Sequence, residues 1–225
     1  MTKKYNPKQT VEKILSTSAT LFAEKGYDKT SMQDIVNALG MSKGAIFHHF
    51  KSKEDVLNAV MEEQFKQVTE RMRNWLVEAK GLTAKEKLSV LLMRNLTDDA
   101  TVIEANNVVV TMTGSPQLIL AIMQGNLKKS APIMADMLRE GIADGSITTA
   151  FPDECAEVFL LLFNIWCDTY VFEGDLSAVR KRLEFLQTLM RQVGADIVTD
   201  GIIDATMKVI ENLNLEVAKW TTQSK

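Results

Sequence analysis

Apolar positions along this chain recur at three- and four-residue spacings almost from end to end, the signature of amphipathic helices. Val11, Ile14, Leu15, Ala19, Phe22 and Ala23 predict a helix over about 8–25, which Gly26 ends. Thr30 and Ser31 offer hydroxyl caps for a short second helix carrying Met32, Ile35, Val36 and Leu39, stopped by Gly40. Ser42 caps a third helix reaching about Phe50, with Ile46 and Phe50 four residues apart on its inner side. Ser52 caps a fourth, with Asp55 three residues on in a variant of the capping box. The same periodicity then predicts helices near 53–80, 84–98, 101–112, 116–143, 153–173, 176–194 and 202–216. Turn residues cluster at Gly81, Gly114 to Pro116, Gly145 to Pro152, Gly174 and Gly194 to Gly201. No strand pattern, internal repeat or low-complexity tract competes, so the expected fold class is all-α.

Composition leaves that picture intact: 46% hydrophobic and 24% charged residues with 4 Pro and 11 Gly is the make-up of a helical globular protein. The apolar run Val158 to Phe163 ends at Asn164, far short of the roughly 20 residues a membrane span needs. The segment Met1 to Thr10 is polar and basic, unlike a secretory signal, so a cytoplasmic protein without membrane partners is expected. Cys155 and Cys167, on one helix, would stand roughly 18 Å apart along its axis, too far to pair, and read as buried thiols.

Charge changes the picture more. Residues 1–53 hold nine lysines against Glu12, Glu24, Asp28 and Asp34, a net +5, which leaves −8 for residues 54–225. A basic end on an otherwise acidic chain suits a polyanionic partner there. The two short capped helices around Leu39, Gly40 and Met41 match a helix-turn-helix over about 32–50, in which the first helix braces the second against a duplex. With Ile35, Leu39, Ile46 and Phe50 facing inward, Ser42, Lys43, Ala45, Phe47, His48 and His49 remain outside, and small Gly44 and Ala45 allow a close approach to a groove wall. Lys43, Lys51 and Lys53, with the capped helix ends, suit phosphates, while Lys43, Ala45, His48 and His49 are placed to read bases. Lys3, Lys4 and Lys8 form either an arm along the DNA or a plain tail. His48 and His49 are adjacent and diverge by about 100° on a helix, which argues against a shared metal, and no metal or cofactor is expected.

The stretch through Ala19, Gly26, Thr30, Ile35, Gly40, Ser42, Lys43, Gly44, Ile46, His48, Phe50, Lys51, Ser52, Lys53 and Leu57 resembles the DNA-binding domain of the TetR family, most specifically in MSKGAIFHHFKSKED from Met41 to Asp55. The resemblance implies an N-terminal three-helix DNA-binding domain (1–53) joined to a C-terminal helical domain for ligand binding and dimerisation (54–225). It implies a homodimeric, non-enzymatic repressor that leaves a near-palindromic operator when a small, mostly apolar effector binds. It places Thr30, Lys43, Ala45, Phe47, His48, His49 and Lys53 at positions that touch DNA. Family members often carry Tyr where this chain has Phe47, and an aromatic where it has His49.

Beyond residue 53 the readings stay open. Met93, Met112, Met123, Met134 and Met137, with Phe159, Phe163 and Trp166, are either adaptable pocket walls or ordinary core, and Asn106, Asn107, Asn164 and Asp168 are either ligand contacts or caps. The candidate ligand set is Met93, Asn107, Met112, Met123, Met137, Phe163 and Trp166. Residues 158–167 are apolar around nearly the whole helix, so Phe159 and Leu162, with Leu183, Leu186 and Met190 of the helix over 176–194, are candidate dimer contacts; the alternative is a helix buried within one monomer. An enzyme finds no nucleophile–base pair, metal cluster or phosphate loop here. A dimeric DNA-binding accessory protein without ligand sensing remains the alternative, to be separated by whether the core is filled or hollow.

Overall fold

The structure, a computed structural model, describes residues 7–98, 115–169, 171–172 and 174–223, with the backbone alone for 213–223. Among the described residues ten α-helices and two π-turns follow one another and no strand occurs. The helices are α1 (Pro7–Lys25), α2 (Met32–Leu39), α3 (Lys43–His49), α4 (Lys53–Glu78), α5 (Ala84–Thr97), α6 (Pro116–Gly125), α7 (Ala131–Asp144), α8 (Pro152–Leu161), α9 (Leu176–Gln192) and α10 (Asp200–Gln223). The helix expected over 101–112 lies outside the described residues. No helix among the described residues is long and apolar enough to cross a membrane.

Two expected helices are interrupted. The run over 116–143 widens into a π-turn, Asn126–Ser130, where the Ala131 amide donates to the Asn126 carbonyl. Pro132 lies just beyond; it has no amide to donate, and its ring would crowd the carbonyl four residues back in an unbroken α-helix. The run over 153–173 becomes π-helical at Leu162–Trp166, where the Cys167 amide donates to the Leu162 carbonyl at 2.9 Å, and then stops. Asp168 supports the stop: its carboxylate accepts from the Val171 amide at 3.2 Å, a local bond that competes with helix continuation.

Two apolar clusters hold the fold. One joins Ile14, Phe22, Ile35, Val36, Leu39, Ile46, Val56, Leu57, Val60 and Met61 with Leu118 and Ile122 of α6. The other unites α5, α7, α8, α9 and α10 around Leu88, Leu91, Leu138, Phe159, Leu183, Leu186, Met190 and Ile202. This second cluster corrects the expected dimer contacts. Phe159, Leu183, Leu186 and Met190 are sealed inside the monomer, because α8 and α9 turn their most apolar stripes toward α7 and α10, and only Leu162 of the five keeps partial exposure.

Gly125, the last residue of α6, lets that helix lie directly on α4: a Cβ there would sit 2.0 Å from Cε2 of Phe65. Gly44 of α3 has open space at the same position. Gly125→Ala is therefore expected to lose about 1–3 kcal/mol through overpacking, while Gly44→Ala holds or gains about 0.5–1 kcal/mol from reduced backbone freedom in the unfolded chain. Urea unfolding of both variants checks the opposite signs.

Candidate nucleic-acid interface

A seven-residue helix cannot hold its own shape in water, so α3 exists because its ends and one face are tied down. Its N-terminus is closed by Ser42, whose side chain accepts from the Ala45 amide at 3.2 Å. Its face is tied by Ile46, which is fully buried. Gly40, at φ 60°, makes the left-handed turn between α2 and α3. Helix α2 starts from a reciprocal capping box, in which the Ser31 amide donates to Asp34 at 2.8 Å and the Asp34 amide to the Ser31 hydroxyl at 3.1 Å. Ser52 and Asp55 repeat the arrangement at the start of α4.

On the outer side of α3, Ser42, Lys43, Gly44 and His48 are exposed, and Ala45, Phe47 and His49 are half-buried. The Lys43 ammonium lies 5.5 Å from the centre of the Phe47 ring, and the His48 and His49 rings meet edge to face at 5.3 Å. Among the described residues no group of three or more His, Cys, Asp or Glu side chains is placed to hold a metal ion. Lys51 donates to the Phe47 carbonyl at 2.9 Å across the C-terminal end of α3. Lys53 reaches back to the turn after α1, donating to the Tyr27 carbonyl at 2.8 Å with its ammonium 4.2 Å from the Tyr27 ring centre. These two lysines thus serve as internal ties on the same side as the exposed Lys43. Lys8 is exposed in the first turn of α1, and Lys3 and Lys4 lie outside the described residues.

Thr30 corrects an expectation. It is 2% exposed, and its hydroxyl donates to the carbonyls of Gly26 at 2.8 Å and Leu21 at 3.3 Å, so its side chain closes the α1–α2 turn and is buried away from the surface. Ser31, beside it, is the cap.

A cavity of about 410 Å³ opens on the far side of α4. Met61, Phe65, Val68, Arg71 and Met72 of α4 line it, together with Leu88, Leu91 and Asn95 of α5, Ile122, Asn126 and Ser130, Met134 of α7, Phe159 of α8, Phe163, Asn164, Cys167 and Asp168 beyond it, and Thr206 and Ile210 of α10. Burial pushes the Cys167 thiol up to about 12, so this side chain stays uncharged. Of the candidate ligand residues that fall among the described residues, only Phe163 lines the cavity, stacked on Phe159 at 5.2 Å. Met93 and Met137 pack into the larger apolar cluster, Met123 packs against the N-terminal one, and Trp166, half-buried against the larger cluster, meets Phe185 edge to face at 5.7 Å. Asn106, Asn107 and Met112 lie outside the described residues. Met134, Asn164 and Asp168, weighed from sequence, do reach the cavity. Its α4 wall was missed, although the apolar spacing of Met61, Phe65, Val68 and Met72 signals it; Asn126 was missed as well, although it follows Leu118 and Ile122 at four-residue spacing, because a polar residue adds nothing to an apolar pattern.

The family model described as bacterial regulatory proteins, tetR family, matches residues 14–60. The chain is 31% identical over 137 residues to the fatty acid metabolism regulator protein of Bacillus subtilis, covering 60% of this chain and 69% of that one. It is 29% identical over 139 residues to the transcriptional repressor KstR2 of Mycolicibacterium smegmatis, covering 60% of this chain and 66% of the relative, just under two thirds of its length. Among solved structures, Bacillus subtilis FadR in complex with stearoyl-CoA superposes with a TM-score of 0.56 at 24% identity, over 90% of this chain and 96% of that one.

Asp34 supplies a test of how the α2–α3 unit is held. Hydrogen bonds from the Ser31 hydroxyl, then the Ser31 amide, then Lys25 hold its carboxyl well below the usual carboxylate range. A depressed folded-state value stabilises the fold above the unfolded pKa of about 4, and that contribution is lost as pH falls from there toward the folded value. The gap in urea midpoint between wild type and Asp34→Asn is thus expected to stay constant from neutral pH down to about 5 and to close below about 4. A gap unchanged by acid would show that the capping box contributes no pH-dependent stability.

Proposed function

This chain belongs to the TetR family of bacterial regulatory proteins, and from that premise we propose that it is a homodimeric repressor that releases its operator when an apolar effector fills the cavity. The observation that carries the reading is the exposed face of α3, held by Ser42 and Ile46 at its cap and core and presenting Lys43, Gly44, Ala45 and His48 together. Lys43 and His48 meet base edges or phosphates, Ser42, Phe47 and His49 border the groove, and Lys51 and Lys53 face the backbone. The division of labour falls at residue 53, the first residue of α4: residues 1–53 bind DNA, and 54–225 dimerise and sense.

The dimer contacts we assign keep Leu162 from those expected from sequence and replace the other four. Val158, Leu162 and Trp166 follow at four-residue intervals along α8 and the second π-turn, and Phe185 of α9, 55% exposed, meets Trp166 at its ring edge. This apolar face suits a two-fold contact with a second copy. Two copies so paired present two α3 helices to half-sites roughly 34–36 Å apart on a near-palindromic operator. Phe185→Glu is expected to shift the sedimentation coefficient from dimer to monomer at micromolar concentration; an unchanged dimer would place the interface elsewhere.

The hollow beneath α4 favours effector sensing over an accessory protein without it. Helix α4 buries Val56, Leu57, Val60 and Met61 among the N-terminal helices and places Met61, Phe65 and Arg71 on the cavity wall, so one rigid element feels both. The relatives' names support an apolar effector: one is a fatty acid metabolism regulator, and one solved neighbour holds stearoyl-CoA. Fluorescence anisotropy with the DNA upstream of the gene, against scrambled DNA at two salt concentrations, tests the proposal. A preference of about a thousandfold or more is expected, weakened about tenfold or more by Lys43→Ala or His48→Ala, with a shallower salt dependence for Lys43→Ala. Equal weak binding to both DNAs, indifferent to the substitutions, would overturn it.

A further inference from the structure

Asn126 is 5% exposed and lines the cavity, yet its amide nitrogen finds no hydrogen-bond acceptor among the described residues. A buried amide donor left unpaired carries its full desolvation cost, so such groups in folded proteins call for a partner. The backbone around it is equally unusual: Asn126 opens the π-turn that interrupts the helix, and π-turns concentrate at functional positions. Of the apolar residues that line the cavity with it, Phe65, Ile122 and Phe159 offer no acceptor in their side chains, and Met61 and Met134 offer only weakly accepting thioether sulfurs.

We propose that the cavity takes an apolar molecule carrying a neutral carbonyl oxygen, and that the Asn126 amide nitrogen donates the hydrogen bond that fixes this oxygen. The inference rests on the reading of the cavity as the effector site and names the chemistry that site selects. The apolar walls take the body of the molecule. Neutrality follows from the polar groups present. Gln64, Asn95, Ser130, Asn164 and Thr206 are uncharged, and the opposite charges of Arg71 and Asp168 are each already engaged. A carboxylate brought beside Asn126 would lose its hydration without gaining a free cation, whereas an ester, thioester, ketone or amide carbonyl loses far less.

Calorimetric titration of the full-length protein with three probes of matched length tests this: methyl laurate, methyl dodecyl ether and laurate. Wild type is expected to bind the ester about tenfold tighter than the ether, the effect of one net hydrogen bond, and tighter than laurate at neutral pH. Asn126→Leu, which keeps the side-chain volume and removes the donor, should bind ester and ether alike, with the ether within about threefold of its wild-type affinity. Asn126→Asp, which keeps the shape and replaces the donor by an acceptor, should lose the ester preference as well. An ester preference that survives both substitutions, a wild type that favours laurate, or no binding of any probe would overturn the proposal. The same probes added to the protein–DNA complex separate the two readings. Binding that depends on Asn126 without release of DNA would leave the carbonyl assignment standing and sink the effector reading.

Discussion

Burial of Ile46 is the constraint on which the nucleic-acid interface depends. Removing an isoleucine side chain from water contributes about 1.5–3 kcal/mol, whereas an isolated helix shorter than about 12 residues is marginal, so the seven residues of α3 keep their shape only while Ile46 stays among Ile14, Ile35, Val56 and Leu57. The caps make that burial specific. Ser31, Ser42 and Ser52 start three successive helices at fixed points, Gly40 sets the turn, and Lys53 ties the start of α4 to Tyr27 at the end of α1. With register set at each junction, the side chains opposite Ile46 have no freedom to face anywhere but outward.

That logic explains why the N-terminal third was legible from sequence and why the rest was less so. Caps and left-handed glycines act within a few residues, and Ser31, Ser42, Ser52 and Gly40 all do what their spacing implies. Thr30 marks the limit. Two adjacent hydroxyls could each have capped α2, and only the return of the chain against Leu21 and Gly26 decides that Thr30 turns inward. Farther on, apolar spacing says that Phe159, Leu183, Leu186 and Met190 are buried but cannot say against what. A monomer core and a dimer seam demand the same residues, and here the monomer core takes them, leaving Val158 and Phe185 outside. The π-turns were illegible for a related reason. Each inserts one residue into a helical repeat, so every position beyond it rotates away from the face that a period of 3.6 assigns; Asn126, which opens the first, still lies one α-turn after Ile122 and went unread because it is polar.

The two apolar clusters meet along α4, which gives Val60 and Met61 to one and packs Met72, Trp75 and Leu76 against the other. Leu118 and Ile122 belong to the same cluster as Ile14 and Ile46, while Ile122 and Asn126, one turn on, border the cavity beside Phe65. Gly125 removes the one side chain that would hold α6 off α4. A molecule held in the cavity, as proposed, would press on Met61 and Ile122, which also belong to the N-terminal cluster. Packed interiors respond to such pressure by changing arrangement more readily than by compressing.

How far a ligand can shift such an equilibrium is limited by its preference for one arrangement over the other, and affinity common to both contributes nothing. The apolar wall is poorly suited to supply that preference, because Met61, Met72 and Met134 adapt to either arrangement. A hydrogen bond is less forgiving, since it weakens steeply once its angle falls toward about 120°. Asn126 sits where α6 gives way to the π-turn, so on the proposed reading a small rotation of α6 against α4 would move its amide relative to the cavity while the methionines resettle. On the proposed effector reading, affinity and discrimination between states would fall to different residues: the methionines would hold the ligand in both, and the Asn126 amide would distinguish one from the other.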